Sequence, residues 1–386
     1  MEKKYISKWQ FFTLIYAYIL SHELTRGAYI YYYRHSSWIP ILLAVPLSCL
    51  LFFIYSFIYK NSGSTDFKTA IEKVLGKFFA KIFFGIYFFY FLFIIILKLR
   101  DVGELVQIYI MQESSFLMIY GFYLFAAVYC AIKGIEVIAR YSGIVFFITF
   151  TSFILFYILL FLVNEPDYGN LLPFMPDGFL HYVNPALKMA YSVPLGELFG
   201  MLVIFQHVRP EQKKKDFKTA YIGIASMGAM MLLISLTNII FLEPEVLILG
   251  YTPIIRLWRR IDVEDFIQRL DIIVINILIM NLIIKTSVLL IATKAMADGI
   301  KETKKNKFLF YSVIAVIFII LLMLFVPDYT KLINLRYKVF IPYVKSVFEV
   351  FIPILIVIIS FLRKKTSKPK KNNLNTTFSK LPPSSA

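Results

Sequence analysis

Tyr191-Ser192-Val193-Pro194-Leu195-Gly196-Glu197-Leu198-Phe199-Gly200 sits in the middle of an otherwise apolar stretch and interrupts it. Proline removes a backbone donor and crowds the preceding turn. Glycine accepts unwound backbone that other residues resist. A carboxylate such as Glu197 at membrane depth costs several kcal/mol unless it is paired or hydrated. Two readings of the segment stand. In one, the helix unwinds and its freed backbone groups, with Glu197, bind a ligand. In the other, Pro194 makes a kink, Gly196 and Gly200 form a close-packing GxxxG face, and Glu197 is protonated or hydrogen-bonded to a neighbour.

Working outward, the flanks are apolar nearly to both ends of the chain. Of 386 residues, 59% are apolar and 17% charged, and mean hydropathy is +0.72. At roughly 20 apolar residues per spanning helix, ten runs are long enough to cross a bilayer: about 9–33, 37–59, 79–99, 115–133, 140–163, 182–206, 217–241, 270–293, 308–326 and 344–362. A spanning barrel needs short strands of alternating polarity, and runs such as Phe83 to Leu97 do not alternate, so the spans are helices. The expected class is an all-α integral membrane protein. Lys3, Lys4 and Lys8 precede the first run as in a signal peptide, but no small-residue cleavage pattern follows and the run is too long, so it reads as the first span. Cys49 and Cys130 lie in apolar stretches without Cys-x-x-Cys spacing and read as packing residues.

The formal charge of +17 raises the question of nucleic acid, and its distribution answers it. With both termini cytoplasmic, 27 lysines and arginines fall in inside segments and 8 in outside segments. The outside group is Arg34, then Arg256, Arg259, Arg260 and Arg269, then Lys331, Arg336 and Lys338. This asymmetry predicts orientation. Cations scattered over loops, without a folded basic domain, give no nucleic-acid partner. From Arg363 onward the chain is basic and polar, and is expected to form a disordered cytoplasmic tail over 363–386 held near anionic lipid.

Ten spans divide into two groups of five, and an odd number per half places the halves in opposite orientations. That is the inverted repeat of many secondary transporters, in which the first helix of each half is interrupted near the midplane. The expected domain is therefore 1–362, with repeat one at about 9–163 and repeat two at about 182–362, and with spans 1 and 6 interrupted. Span 1 carries Ser21-His22-Glu23-Leu24-Thr25-Arg26-Gly27. This is either a break lining a cavity or a helical Glu23–Arg26 pair at i, i+3 with a structural His22. Lys98, Arg100, Asp101 and Glu104 carry both signs on span 3 and read as a local ion-pair cluster. Lys285 in span 8 has three readings: neutralising Glu197 or Glu23 across the bundle, acting as a proton-coupling amine, or snorkelling to the surface. His35, His181 and His207 lie near span ends and read as interfacial. The candidate ligand contacts are Ser21, His22, Glu23, Ser192, Pro194, Gly196 and Glu197. Candidates for ion or proton coupling are Glu23, Glu197 and Lys285. No phosphate loop, metal-ligand cluster or nucleophile elbow appears, so neither an enzyme nor a metal or cofactor site is expected.

Several stretches, taken in order, resemble a known family. They are Ser7-Lys-Trp-Gln10 before span 1, Ser36-Ser-Trp38-Ile39 opening span 2, Leu172-Pro173 with Asp177-Gly178, Pro194-Leu-Gly-Glu197, Thr252-Pro253-Ile-Ile-Arg256, and Phe266-Ile-Gln-Arg269-Leu-Asp271. The chain to about residue 362 resembles the B subunits of bacterial spore germinant receptors, a branch of the amino acid-polyamine-organocation transporter superfamily. The resemblance implies a leucine-transporter-like 5+5 fold. It also implies a sensor in the spore inner membrane that binds a small nutrient, an amino acid or nucleoside, and triggers germination with a large A subunit and a lipoprotein C subunit. One departure is visible: relatives carry glycine and often proline in the span 1 break, whereas this chain has Ser21-His22-Glu23 and only Gly27. The alternative within the same architecture is a proton-coupled amino acid permease.

Overall fold

The computed structural model describes residues 5–21, 34–173, 175–193, 195–208, 213–242, 252–261, 269–301, 306–325 and 328–366. The described residues are mostly helical, and among them no strand forms beyond one isolated bridge. The helices are α1 (Lys8–Leu20), α2 (Trp38–Ser62), α3 (Phe67–Leu75), α4 (Lys77–Tyr109), α5 (Phe116–Lys133), α6 (Ile135–Val163), α7 (Phe179–Tyr191), α8 (Phe199–Ile204), α9 (Lys213–Phe241), α10 (Pro253–Arg259), α11 (Asp271–Ile300), α12 (Lys307–Phe325), α13 (Tyr329–Leu335) and α14 (Ile352–Thr366). Wide π-helical turns, Arg336–Lys345 and Val347–Phe351, join α13 to α14 in one rod.

Among the described residues, eight helices are long and apolar enough to cross a membrane. They correspond to eight of the ten expected runs. The other two runs, 9–33 and 182–206, are those expected to be interrupted. Run 182–206 divides into α7 and α8, separated by non-helical residues. In run 9–33, α1 ends at Ser21, whose hydroxyl donates to the Tyr18 carbonyl at 2.6 Å. Residues 22–33 lie outside the described part, and with them His22 and Glu23.

Local chemistry sets the helix ends. α1 opens with a capping box in which Ser7 and Gln10 satisfy each other's backbone amides. α2 stops at Gly63, at φ +62°, a left-handed turn that glycine adopts without strain. α3 is capped by Asp66 and turns Phe67, Ala70, Ile71 and Val74 inward, a short amphipathic helix bridging α2 and α4.

α11 is the central element. In its most apolar window 67% of residues are buried, against 22% for α12, and α11 packs most extensively on α4, then on α6, α5 and α1. The two interrupted runs meet as well. The chain before α1 pairs with the chain after α8 through Ile6 and Val208, with the Ile6 amide donating to the His207 carbonyl at 2.9 Å. α7 packs on α2, and α8 on α11.

The last span differs from expectation. Arg336, expected from its charge to lie in an outside loop with Lys331 and Lys338, is 3% exposed inside the rod. The helical rod that carries the apolar run at 344–362 therefore begins further back, at Tyr329. Pro342 lies in the first π segment, where a wide turn accommodates a residue that cannot donate to the ladder. At the other end α14 passes the expected tail boundary at 363. Its Arg363 guanidinium donates to the Lys73 carbonyl at 3.1 Å, tying α14 to α3. Both cysteines are free thiols.

Candidate functional site

The break between α7 and α8 is shaped by its sequence. The Ser192 amide still bonds back to Lys188, but Ser192 itself leaves helical geometry at φ −127°, ψ −115°. The chain folds back on itself, with the Gly196 amide donating to Ser192 O at 2.7 Å and the Glu197 amide to Tyr191 O at 3.3 Å. Gly196 is required here, because a Cβ would lie 2.0 Å from the Tyr191 carbonyl carbon. Glu197 takes up φ +60°, an uncommon conformation for a residue with a side chain. Since Gly196 lies in the break and not on a helix, the GxxxG reading does not hold. Gly200 alone serves close packing, since a Cβ at that position would lie 3.2 Å from the Tyr18 hydroxyl. Ser48 on α2 reaches the Ala190 carbonyl at the end of α7 at 3.3 Å. Pro194 lies outside the described residues.

Glu197 is 2% exposed and faces two ammonium groups. Lys285 Nζ, half-way along α11, is 2.5 Å from its Oε2, and Lys345 Nζ, in the π-helical rod, pairs with its Oε1. The Tyr18 hydroxyl of α1 donates to the Glu197 carbonyl at 3.0 Å, and Lys285 Nζ lies 4.5 Å from the centre of the Tyr18 ring. Lys285 reaches Glu197 across the bundle, as the neutralising reading expects, and does not snorkel to the surface. Neutralisation answers the desolvation cost of each charge, and removing one member of such a pair leaves an uncompensated buried ion.

A second carboxylate lies within electrostatic reach of Lys345 and Glu197. Glu349 is fully buried. Its Oε1 accepts from the Tyr90 hydroxyl at 2.8 Å, and its Oε2 from the Tyr55 hydroxyl and the Phe199 amide, both at 3.3 Å. The Tyr87 hydroxyl donates to the neighbouring Phe348 carbonyl at 2.5 Å. Two carboxylates, two ammoniums and four tyrosines thus converge on the break from α1, α2, α4, α11 and the last rod. The formal charges of the four groups balance, and Glu349 also touches the broken span through the Phe199 amide.

Towards the opposite end from the lysine-bearing ends of α2 and α3, the expected cluster on α4 forms. Lys98 is 3.5 Å from Asp101, and Arg100 pairs with Glu104. Arg336 joins it from the last rod, 2.8 Å from Asp101.

Sequence reasoning singles out Ser192, Gly196, Glu197 and Lys285, and the structure brings all four together. Ser21 is buried at the end of α1, one turn beyond Tyr18, with its hydroxyl turned back on its own helix. Lys345, Glu349, Tyr18, Tyr55 and Tyr90 escape sequence reasoning. A signal for two of them is present, since Lys345 and Glu349 are an i, i+4 pair of opposite charge inside an apolar run, the pattern that marks α4. His181 lies 4.0 Å from Asp177, both side chains well exposed, away from this site. Among the described residues no group of three or more His, Cys, Asp and Glu side chains has metal-binding geometry.

A family model described as "Spore germination protein" matches residues 5–330. The chain belongs to this family. It is also 25% identical over 373 residues to spore germination protein KB of Bacillus subtilis (strain 168), covering 96% of this chain and 98% of that protein. The match spans α1 through α12, ends at the start of α13, and includes the break, Glu197 and Lys285. Lys345 and Glu349 lie beyond the family-model match but within a chain that the KB protein parallels almost end to end. The molecule is a multi-pass membrane protein of the spore germination family, built as a germinant receptor-like B subunit or permease.

Proposed function

We propose that the protein is the B subunit of a nutrient germinant receptor in the spore inner membrane. It binds a small nutrient, an amino acid or nucleoside, at the break between α7 and α8, and it acts with A and C partner subunits. The lysine-rich end, carrying Lys60, Lys68, Lys73 and Lys133, faces the cytoplasm, with both termini on that side. One observation carries this reading: Glu197, in the break, is held by Lys285 at 2.5 Å and by Lys345, from two different packing partners. A ligand that competes for either ammonium or for the carboxylate exchanges one set of interhelical ion pairs for another. Its differential affinity then shifts the balance between two arrangements of the helices. Ser21, His22, Glu23, Ser192, Pro194 and Gly196 complete the proposed ligand contacts.

The test is germination of spores carrying Glu197→Gln, with protein level checked by immunoblot. The nutrient concentration needed for half-maximal germination should rise at least tenfold. A Glu197→Gln/Lys285→Gln double variant, which removes one of the two ammoniums that lose their carboxylate partner, guards against simple misfolding. Unchanged thresholds in both, at normal protein level, would refute the site.

The buried amine–carboxylate pair also favours a second reading, a proton-coupled amino acid permease with Glu197, Lys285 or Glu23 as the titrating group. Substrate accumulation by purified protein in liposomes under a pH gradient, lost in Glu197→Gln, would select it.

A further inference from the structure

A cavity of about 370 Å³ opens at the lysine-rich end, between α2 and α9. Its polar lining comes from Lys60 in the last turn of α2, Lys218 at the head of the apolar part of α9, and Ser64 in the turn after α2. Its walls include Phe53, Phe217 and Tyr221, and Phe53 is 41% exposed on the outer surface of the bundle. Lys60 Nζ lies over three rings at once, 5.1 Å from Phe53 and Phe57 and 5.4 Å from Phe217. Among the described residues no carboxylate lies within ion-pair distance of Lys60 or Lys218.

Two ammoniums without a counter-ion among the described residues, a hydroxyl beside them, and an aromatic wall running out to the lipid-facing surface define an anion site with an apolar exit. We infer that this cavity binds the phosphate headgroup of an anionic membrane lipid, with an acyl chain leaving along Phe53. A soluble phosphate would use the lysines but not the exposed apolar face of Phe53 that leads out of the cavity. The ends of the spans are also where basic side chains meet anionic headgroups. The remaining wall reaches the broken span. The Tyr59 hydroxyl donates to the Leu202 carbonyl of α8 at 3.0 Å, the Tyr59 and Phe205 rings lie 5.3 Å apart, and Phe205 stacks on Phe217 at 4.4 Å. A lipid in the cavity therefore braces the half of the broken span that carries α8. The inference rests on the proposed orientation only for which leaflet supplies the lipid.

The experiment needs no nutrient, so its failure is separable from failure of the ligand site. Purified protein, delipidated and re-equilibrated with equal amounts of phosphatidylglycerol and phosphatidylcholine, is analysed by native mass spectrometry for the lipid it retains. The wild type should retain phosphatidylglycerol preferentially. Lys60→Gln and Lys218→Gln should each cut the preference about fivefold, and the double variant should abolish it. Lys60→Arg/Lys218→Arg should keep it, and Lys133→Gln, at another helix end, should leave it unchanged. An undiminished preference in the double glutamine variant, an equal loss in Lys133→Gln, or displacement of the lipid by millimolar inorganic phosphate would each overturn the assignment.

Discussion

Lys98, Arg100, Asp101 and Glu104 ride on one unbroken helix and form ion pairs with each other at i, i+3 and i, i+4, with Arg336 as the interhelical ion-pair partner among the described residues and with Tyr120 and Tyr329 adding hydrogen bonds from neighbouring helices. Glu197 sits in a stretch with no helix of its own, and its partners arrive from α11 and the last rod, far away in sequence. Asp101 and Glu197 are similarly dry, at 3% and 2% exposed. What differs is what happens when a pair opens. On α4 the backbone is already satisfied by its own helix, so loosening one ion pair leaves the scaffold in place. At the break, the carboxylate pairs, the Tyr18 bond and the Phe199 amide bond to Glu349 hold the two half-helices in position. The first region behaves as a tie and the second as a joint.

That contrast can be broken or sharpened by five substitutions. The largest effect belongs to Gly196→Ala, whose new methyl would overlap backbone atoms of Tyr191 and Ser192. A loss of about 4 kcal/mol or more is expected, seen as little monodisperse protein surviving in detergent. Gly200→Ala, facing a movable tyrosine hydroxyl, should be far milder. Next is Lys285→Met, which leaves Glu197 with one ammonium and should cost about 3 to 5 kcal/mol. Thermal unfolding in micelles would read it, and adding Glu197→Gln should restore part of the loss. Asp101→Asn should cost about 2 kcal/mol, because the amide still accepts from Arg336 but the charge is gone. Smallest is Glu136→Ala, which removes the exposed pair with Arg140 (2.5 Å, arginine side chain 69% exposed) and should change stability by under about 0.5 kcal/mol. Equal costs for Asp101→Asn and Lys285→Met would erase the distinction between tie and joint.

The same contrast explains what can be read from sequence. The spans, the break at Tyr191–Gly200 and the α4 cluster are local patterns of hydropathy, of Pro and Gly, and of charges a helical turn apart. Arg336 reads as a loop residue because Lys331, Arg336 and Lys338 together look like the end of a span. Its burial depends on Asp101, a partner in a distant helix that hydropathy does not register. Lys345 and Glu349 go unmarked for a related reason. Their importance comes from the π-helical rod delivering them to the break of another span, which is a tertiary fact. Even so, an i, i+4 pair of opposite charge within an apolar run is a legible hint. Tyr18, Tyr55 and Tyr90 are indistinguishable from the other tyrosines until the fold aims their hydroxyls at the break and its two carboxylate residues.

The central claim is that ligand acts at the Glu197 joint, and amide hydrogen exchange on the purified protein in lipid nanodiscs tests it most directly. Exchange would be followed with and without a mixture of free amino acids, and separately a mixture of nucleosides, at millimolar concentration. The account predicts that one mixture slows exchange in the peptides covering 191–204, that Glu197→Gln removes this protection, and that the peptides covering 98–104 stay unchanged. Protection confined to 98–104, or protection of 191–204 that persists undiminished in Glu197→Gln, would contradict it.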